Sequence, residues 1–166
     1  MRATITLPAL LLLVSTCGVR AGTTIPDALV AAGEHAVLTV HAEGAQIYEC
    51  KAGDGGKLNW SFREPIATLL QDGKTVGRHY AGPRWEHEDG SMVTGHVVGT
   101  AVGATDNDIA WLKLNAVAHK GTGALGDVMT IQRLNTKGGK LSGDCDTAGA
   151  FKSVSYSADY VFLRTD

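Results

Sequence analysis

The sequence predicts an all-β fold: an antiparallel sandwich or barrel forming a single domain, preceded by an N-terminal signal peptide. Three observations lead to this prediction. Several segments alternate apolar and polar residues, as strands with one buried face do. The chain holds 21 glycines, many of them between those segments, where turns with positive φ are expected. Helical periodicity is almost absent after the first residues.

The first predicted element after an N-terminal arm is a β-hairpin. Residues 36–42 and 45–51 are both strand-like, and Glu43-Gly44 lies between them as the expected turn. An alternating strand then covers residues 58–63, and Pro65 starts a new strand behind it. The first half of the chain therefore reads as short, separate strands.

Two Asp-Gly turns organise the middle of the chain. Asp72-Gly73 and Asp89-Gly90 begin the similar stretches DGKTVGRH and DGSMVTGH. Asp-Gly favours the type I′ hairpin because both residues tolerate a positive φ, so we expect two consecutive hairpins. Further strands are predicted over 109–119, 127–136 and 156–163.

Residues 1–21 have the features of a cleaved signal peptide. Arg2 supplies a positive charge, residues 7–14 are apolar, and Val19-Arg20-Ala21 places small residues at the positions that signal peptidase reads. The apolar stretch is too short to span a bilayer as a helix. We therefore expect an exported protein of residues 22–166, periplasmic or secreted.

A lipoprotein is the alternative for this leader. Val14-Ser15-Thr16-Cys17 is similar to a lipobox, in which Cys17 would be acylated and become the first residue. Gly or Ala is usual before that cysteine, and Thr16 fits poorly. We therefore favour cleavage after Ala21.

The cysteine count points to one disulfide. Of the 3 cysteines, Cys17 leaves with the leader, and Cys50 and Cys145 remain. A single pair in an oxidising compartment most simply forms a bond. Two free buried thiols are the alternative, and a metal site is disfavoured because neither cysteine has a CxxC or CxxH neighbour.

The charge excludes some partners. The formal net charge is −2 and the isoelectric point is about 6.3, which gives no electrostatic reason to bind nucleic acid or an anionic membrane. No other segment reaches the roughly 18 apolar residues that a helical span needs. The sequence specifies no oligomeric state.

Several long motifs extend over nearly the whole mature chain. They are GAQIYEC (44–50), WSFREPIATL (60–69), VGRHYAGPRWEHEDGSMVTG (76–95), WLKLNA (111–116), IQRLNTKGG (131–139), GDCD (143–146) and YSADYVF (156–162). Together they resemble domain-of-unknown-function family 3455, which occurs in exported bacterial and fungal proteins. The resemblance supports pairing of Cys50 with Cys145, although this chain reads GDCD where the family has a GCD-like motif. It implies no activity.

A corner rich in aromatic and charged residues is the first candidate binding site. His79, Tyr80, Arg84, Trp85 and Glu86 surround Gly82-Pro83, which we expect to bend rigidly because proline fixes φ. Loops on a β scaffold often carry binding residues, and Trp and Arg suit sugar or peptide contacts. The alternative is a structural corner with Trp85 in the core.

The strand over 131–136 is the second candidate. Alternation places Arg133 and Asn135 on one face, where they could line a pocket mouth, with Gln132 opposite. The alternative, which we favour for this strand, is that Arg133 pairs with an acidic residue on a neighbouring strand.

The sequence indicates no catalytic residue, cofactor or metal site. HxH and G-x-S-x-G motifs are absent, and His41, His79 and His96 could bind a metal only if folding brought them together. The leading hypothesis is a non-catalytic extracytoplasmic binding domain for an envelope glycan, a small molecule or another protein. The alternative is a secreted enzyme, assisted by a metal on histidine and carboxylate residues.

Overall fold

The computed structural model describes residues 24–166, which form one antiparallel sheet of eight strands closed into a barrel. The strands are β1 (His35–Ala52), β2 (Leu58–Gln71), β3 (Lys74–Tyr80), β4 (Arg84–His87), β5 (Met92–Ala101), β6 (Trp111–Lys120), β7 (Thr130–Gly138) and β8 (Phe151–Arg164). Each strand pairs with the next along the chain, and β8 pairs with β1. The predicted all-β, antiparallel, single-domain fold is confirmed, in its barrel form. The predicted signal peptide and Cys17 lie outside the described residues.

β1 is one continuous strand of 18 residues, so the predicted hairpin at Glu43-Gly44 is wrong. Gly44 pairs with Ala67 on β2 and with Tyr156 on β8. A Cβ atom on Gly44 would lie 2.0 Å from the carbonyl oxygen of Ile66. The glycine is therefore needed for the close approach of two strands, where any side chain would collide, and makes no turn.

β2 also continues through Pro65, where we expected a new strand to start. Pro65 faces Gln46 on β1. β3 pairs only with the last part of β2, from Ala67 to Gln71. Proline is compatible with this position because β2 extends beyond β3 there and has a partner strand on one side only.

Both Asp-Gly turns connect antiparallel strands, as predicted. Asp72 and Gly73 have φ values of 50° and 76°, the two positive values that a type I′ turn requires. The turn at Asp89-Gly90 joins β4 to β5, but there Gly90 has a positive φ of 83° and Asp89 does not, so the type I′ turn expected at this pair is wrong. Short 3₁₀ turns occupy Asp27–Leu29 and Asp54–Gly56.

One end of the barrel is packed shut. The loop between β6 and β7 contributes Leu125 and Val128, which are fully buried in the same core as Phe162 of β8. Asp89 holds this loop, because its carboxylate accepts hydrogen bonds from the backbone N–H groups of Ser91 and Ala124, both at 2.8 Å. A hydrogen bond from the Ser91 hydroxyl, at 2.6 Å, lowers the pKa of Asp89, and the two backbone hydrogen bonds lower it further. Because core residues fill this end of the barrel, the cavity lies at the opposite end.

The predicted disulfide is present at that opposite end. Cys50 near the end of β1 is bonded to Cys145, with the Cα atoms 5.9 Å apart. The bond ties the long β7–β8 connection to the barrel wall. No helix within residues 24–166 is long and apolar enough to cross a membrane.

Candidate ligand-binding site

The open end of the barrel encloses a cavity of about 830 Å³. Sites that hold small molecules commonly measure about 300–1,000 Å³. The inner wall carries Gln46, His79, Trp85, Arg133 and Tyr160. The rim is formed by Phe62 and Arg63 of β2, residues 81–83 between β3 and β4, residues 102–110 between β5 and β6, and Lys140.

Strand alternation directs these side chains inward. On β8, Tyr156, Ala158, Tyr160 and Phe162 are all buried and share one face. Arg133 of β7 pairs with Tyr160, and therefore lies on the inner face. The closure of the barrel brings together residues from strands that are far apart in sequence.

Three aromatic rings form a rigid wall of the cavity. The imidazole of His79 is stacked on the indole of Trp85, with the centroids 4.5 Å apart. Tyr160 packs edge-on against Trp85 at 5.3 Å. Gly95 allows this packing, since a Cβ atom there would lie 3.1 Å from the indole. Trp85 is 1% exposed, so it belongs to the core and lines the cavity at the same time.

His79 is a neutral hydrogen-bond acceptor. Burial lowers its pKa from 6.5 to about 3. Its Nδ1 atom lies 2.8 Å from the carbonyl oxygen of Arg84. Because a carbonyl oxygen only accepts, Nδ1 carries the proton and Nε2 carries a lone pair. A group with this pKa is a poor base near neutral pH. What its Nε2 atom offers a bound molecule is a hydrogen-bond acceptor.

Two buried donors in the cavity have no partner. The side-chain nitrogen of Gln46 and the indole nitrogen of Trp85 make no hydrogen bond with any of residues 24–166. Gln46 is 2% exposed, and both residues line the cavity. A buried donor without a partner costs about 1–3 kcal/mol, and a ligand that accepts from it recovers that cost.

Arg133 supplies a positive charge on the cavity wall. Its Nε and Nη2 atoms donate to the carbonyl oxygen of Ala110, at 3.1 and 2.9 Å. Across residues 24–166 it forms no ion pair, so the predicted pairing with an acidic strand neighbour is wrong. The cross-strand neighbours are instead Leu112 and Tyr160. Burial raises the pKa values of Tyr48, Tyr156 and Tyr160 and lowers that of His79, and the nearby charge of Arg133 acts to lower all four.

Three residues of the predicted corner lie outside the cavity. The hydroxyl of Tyr80 donates to Glu86 at 3.0 Å, and Arg78 donates to the same carboxylate at 2.8 Å. These side chains form a cluster on the outer face of β3 and β4. The side chain of Arg84 is exposed, and only its backbone carbonyl contacts the site, through His79.

Asn135 also lies outside the cavity, so it does not share a face with Arg133. Its φ of 51° belongs to a bulge between Leu134 and Lys137 that interrupts the alternation of β7. The side chain donates to Asp159 at 2.8 Å on the outer surface. The two residues predicted to act together are therefore separated by the barrel wall.

The three histidines considered for a metal site do not come together. His41 contacts Asp159 at 2.8 Å outside the barrel, His79 lies inside, and His96 is exposed on β5. Within the described part of the chain, no group of three or more His, Cys, Asp and Glu side chains could hold a metal ion.

Sequence reasoning missed several residues of the cavity. Gln46 stands at an inward position of β1 between Gly44 and Tyr48, where an apolar residue is usual, and that mismatch was a detectable signal. The polar loop at 103–108 forms part of the rim. This loop reaches the mouth of the cavity because the barrel closes, so no local sequence pattern predicts its position.

Fold and cavity together define an eight-stranded antiparallel barrel protein with a ligand-sized cavity at its open end. The family described as "Protein of unknown function (DUF3455)" matches residues 31–164, so the chain belongs to that family, as its motifs predicted. Neither a curated protein nor a solved structure matches the chain.

Proposed function

We propose that this protein is a non-catalytic extracytoplasmic binding protein that holds a small molecule inside its barrel. The observation that carries the proposal is the cavity of about 830 Å³, which is lined by the packed rings of His79, Trp85 and Tyr160. Of the three ligand classes expected from the sequence, a small molecule fits an enclosed cavity best. A protein or an extended glycan would need an open surface.

The rigidity of the wall favours binding. His79, Trp85 and Tyr160 are packed against one another and are each at most 2% exposed. A preformed site loses little conformational entropy when a ligand enters, so more of the contact energy appears as affinity. The apolar rim residues Phe62 and Val102 are 54% and 90% exposed, and an apolar ligand would cover them.

The disulfide and the leader features support the extracytoplasmic part of the proposal. Disulfides persist in oxidising compartments, and Cys50–Cys145 is such a bond. Residues 1–21 have a signal-peptide pattern.

A neutral fluorescent dye tests the cavity directly. Nile red is apolar, uncharged and brighter in an apolar site, so we expect saturable binding to the purified protein with one site per chain. Leu112→Trp fills the cavity from its β6 wall. Val117→Trp adds the same ring at a position of β6 that is 61% exposed and serves as the matched control.

We expect Leu112→Trp to weaken dye binding by about tenfold or more, which corresponds to about 1.4 kcal/mol, and Val117→Trp to leave it unchanged. Circular dichroism checks that both variants fold, and Leu112→Phe is the milder substitution if Leu112→Trp does not. Binding that is absent in the wild type, or equal in the two variants, would contradict the proposal.

A further inference from the structure

We propose that the small molecule is an organic carboxylate with an apolar body, and that Arg133 binds its carboxylate group inside the cavity. The inference rests on the proposed function and names the ligand class for the same site. Three observations support it: Arg133 is a cation without a counterion, its free N–H groups point in parallel, and hydrogen-bond donors outnumber acceptors on the cavity wall.

The first observation is that the positive charge of Arg133 is uncompensated. The residue is partly buried on the inner face of β7, between Leu112 and Tyr160. None of residues 24–166 forms an ion pair with it. Charges removed from water are normally paired, because desolvation disfavours an isolated ion. An anionic ligand would supply the missing partner.

Two of the other charged groups of the cavity are already engaged, and the remaining two, Asp106 and Lys140, lie on its rim. Asp108 accepts from the N–H and the hydroxyl of Thr105, at 2.9 and 2.8 Å, and from the N–H of Gly138 at 2.6 Å. Arg63 on the rim pairs with Glu64 at 3.3 Å. Arg133 is therefore the cation on the inner wall that remains for a ligand.

The second observation is the direction of the free donors. A guanidinium has five N–H bonds, and the Ala110 carbonyl uses the Nε hydrogen and one Nη2 hydrogen of Arg133. That carbonyl leaves the second Nη2 hydrogen and the two Nη1 hydrogens, and the hydroxyl of Tyr160 is also close enough to interact with the guanidinium. One hydrogen from each nitrogen points the same way, and this parallel pair matches the two oxygens of a carboxylate.

The third observation is the balance of polar groups. The side-chain nitrogen of Gln46 and the indole of Trp85 are donors without partners, and Arg133 adds further free donors. The acceptors among these wall groups are His79 Nε2, as its Nδ1 hydrogen bond implies, and the side-chain oxygen of Gln46, and they are fewer than the free N–H donors. A ligand group that only accepts, such as a carboxylate, fits this surplus. Apolar residues such as Leu114, Ile109 and Phe62 surround the remaining volume.

Displacement of Nile red by matched compounds tests the ligand class without any variant. Decanoate, methyl decanoate and decyl phosphate share one apolar body and differ in their head group. We expect decanoate to displace the dye about 10- to 100-fold better than the ester, the usual effect of a charge-assisted hydrogen bond. Equal displacement by acid and ester, or a decisive preference for the phosphate, would overturn the inference.

Variants then assign the effect to Arg133. Arg133→Met removes the charge at similar length, and we expect it to bind Nile red while losing the preference for the acid. Lys74→Met removes an exposed charge at the start of β3, outside the cavity lining, and should keep that preference. If Arg133→Met does not fold, Arg133→Lys keeps the charge without the paired donors and should reduce the preference.

The two proposals fail in different ways. Dye binding with no acid preference in the wild type removes the carboxylate inference and leaves the cavity function. A preference that survives in Arg133→Met assigns carboxylate binding to another residue and overturns the role given to Arg133. Absence of dye binding to the wild type removes the proposed function itself.

Discussion

The imidazole of His79 lies nearly parallel to the indole of Trp85, with the centroids 4.5 Å apart and an angle of 10° between the ring planes. The two residues are direct cross-strand partners on β3 and β4. The turn between those strands contains Gly82, whose φ of 124° requires glycine. Of the corner that the sequence singled out as a binding loop, His79 and Trp85 therefore form part of the wall of an interior cavity.

Stability should fall as the pH is lowered from 6.5 towards 3, because His79 is held neutral in the folded protein. Its pKa is about 3 when folded and 6.5 otherwise, so the unfolded chain binds more protons across that range. We expect the free energy of unfolding to drop by about 2 kcal/mol between pH 7 and pH 5 through this residue. Urea denaturation at several pH values measures it.

Two variants isolate this contribution. His79→Phe keeps the stack on Trp85 but cannot be protonated, so its stability should change less over the same pH range. His96→Gln removes an exposed histidine and should retain the wild-type pH dependence. Working above pH 5 avoids the titration of Asp89 and Asp108, because hydrogen bonds to both carboxylates lower their pKa values. Identical pH profiles for wild type and His79→Phe would refute the prediction.

Trp85→Ala should be among the most destabilising substitutions in the chain. The residue is 1% exposed and contacts His79, Tyr160 and Phe162. Loss of so large a buried ring costs about 3–5 kcal/mol. Arg84→Ala, at the exposed neighbouring position, should change stability by no more than about 0.5 kcal/mol. Thermal and urea denaturation compare the two, and similar losses would show that burial does not distinguish them.

Ligand binding should also shift one indole signal in a nitrogen–proton NMR spectrum. The Trp85 N–H has no partner within residues 24–166, so a bound acceptor changes its environment. Trp60, on β2, does not line the cavity and provides an internal reference. Trp85→Phe identifies the signal by removing it. A ligand that shifts only the Trp60 signal would be bound elsewhere.

Removing the disulfide should lower stability by about 2–5 kcal/mol, whether the change is Cys50→Ser or Cys145→Ser. The double variant should be no worse than either single one, because both changes break the same bond. Denaturation curves of the three variants test this equality. Alkylation of unfolded, unreduced protein should find neither cysteine free, and labelling of both would contradict the bond.

Gly44→Ala should destabilise the barrel by about 2–3 kcal/mol, in the range seen for overpacked sites. The added methyl would lie 2.0 Å from the Ile66 carbonyl oxygen, so β1 and β2 would have to separate. Glu43→Ala changes the exposed neighbouring residue on the same strand, and its effect should stay within about 0.5 kcal/mol. Equal stabilities would show that the strands adjust freely at this point.

The sequence by itself determined the features that depend on residues close together in the chain, such as strands and turns. The local pattern predicted a strand over 156–163, which lies within β8, and Asp72-Gly73 predicted its turn through tolerance of positive φ. The cysteine count indicated the bond between Cys50 and Cys145 because one pair leaves one arrangement. The family motifs were also readable without coordinates. Cleavage of the leader stays a prediction.

The tertiary structure decided the features that depend on strand pairing, such as the role of Gly44 and the composition of the cavity wall. Gly44 has the same local signature in a turn as in a close approach, and only the position of β2 distinguishes them. The bulge at Asn135 moved that residue away from Arg133 because one extra residue reverses the alternation. Gln46, Trp85 and Arg133 line one cavity only because β8 pairs with β1 and closes the sheet. Such long-range pairing is set by the packing of the whole chain, which no short segment encodes.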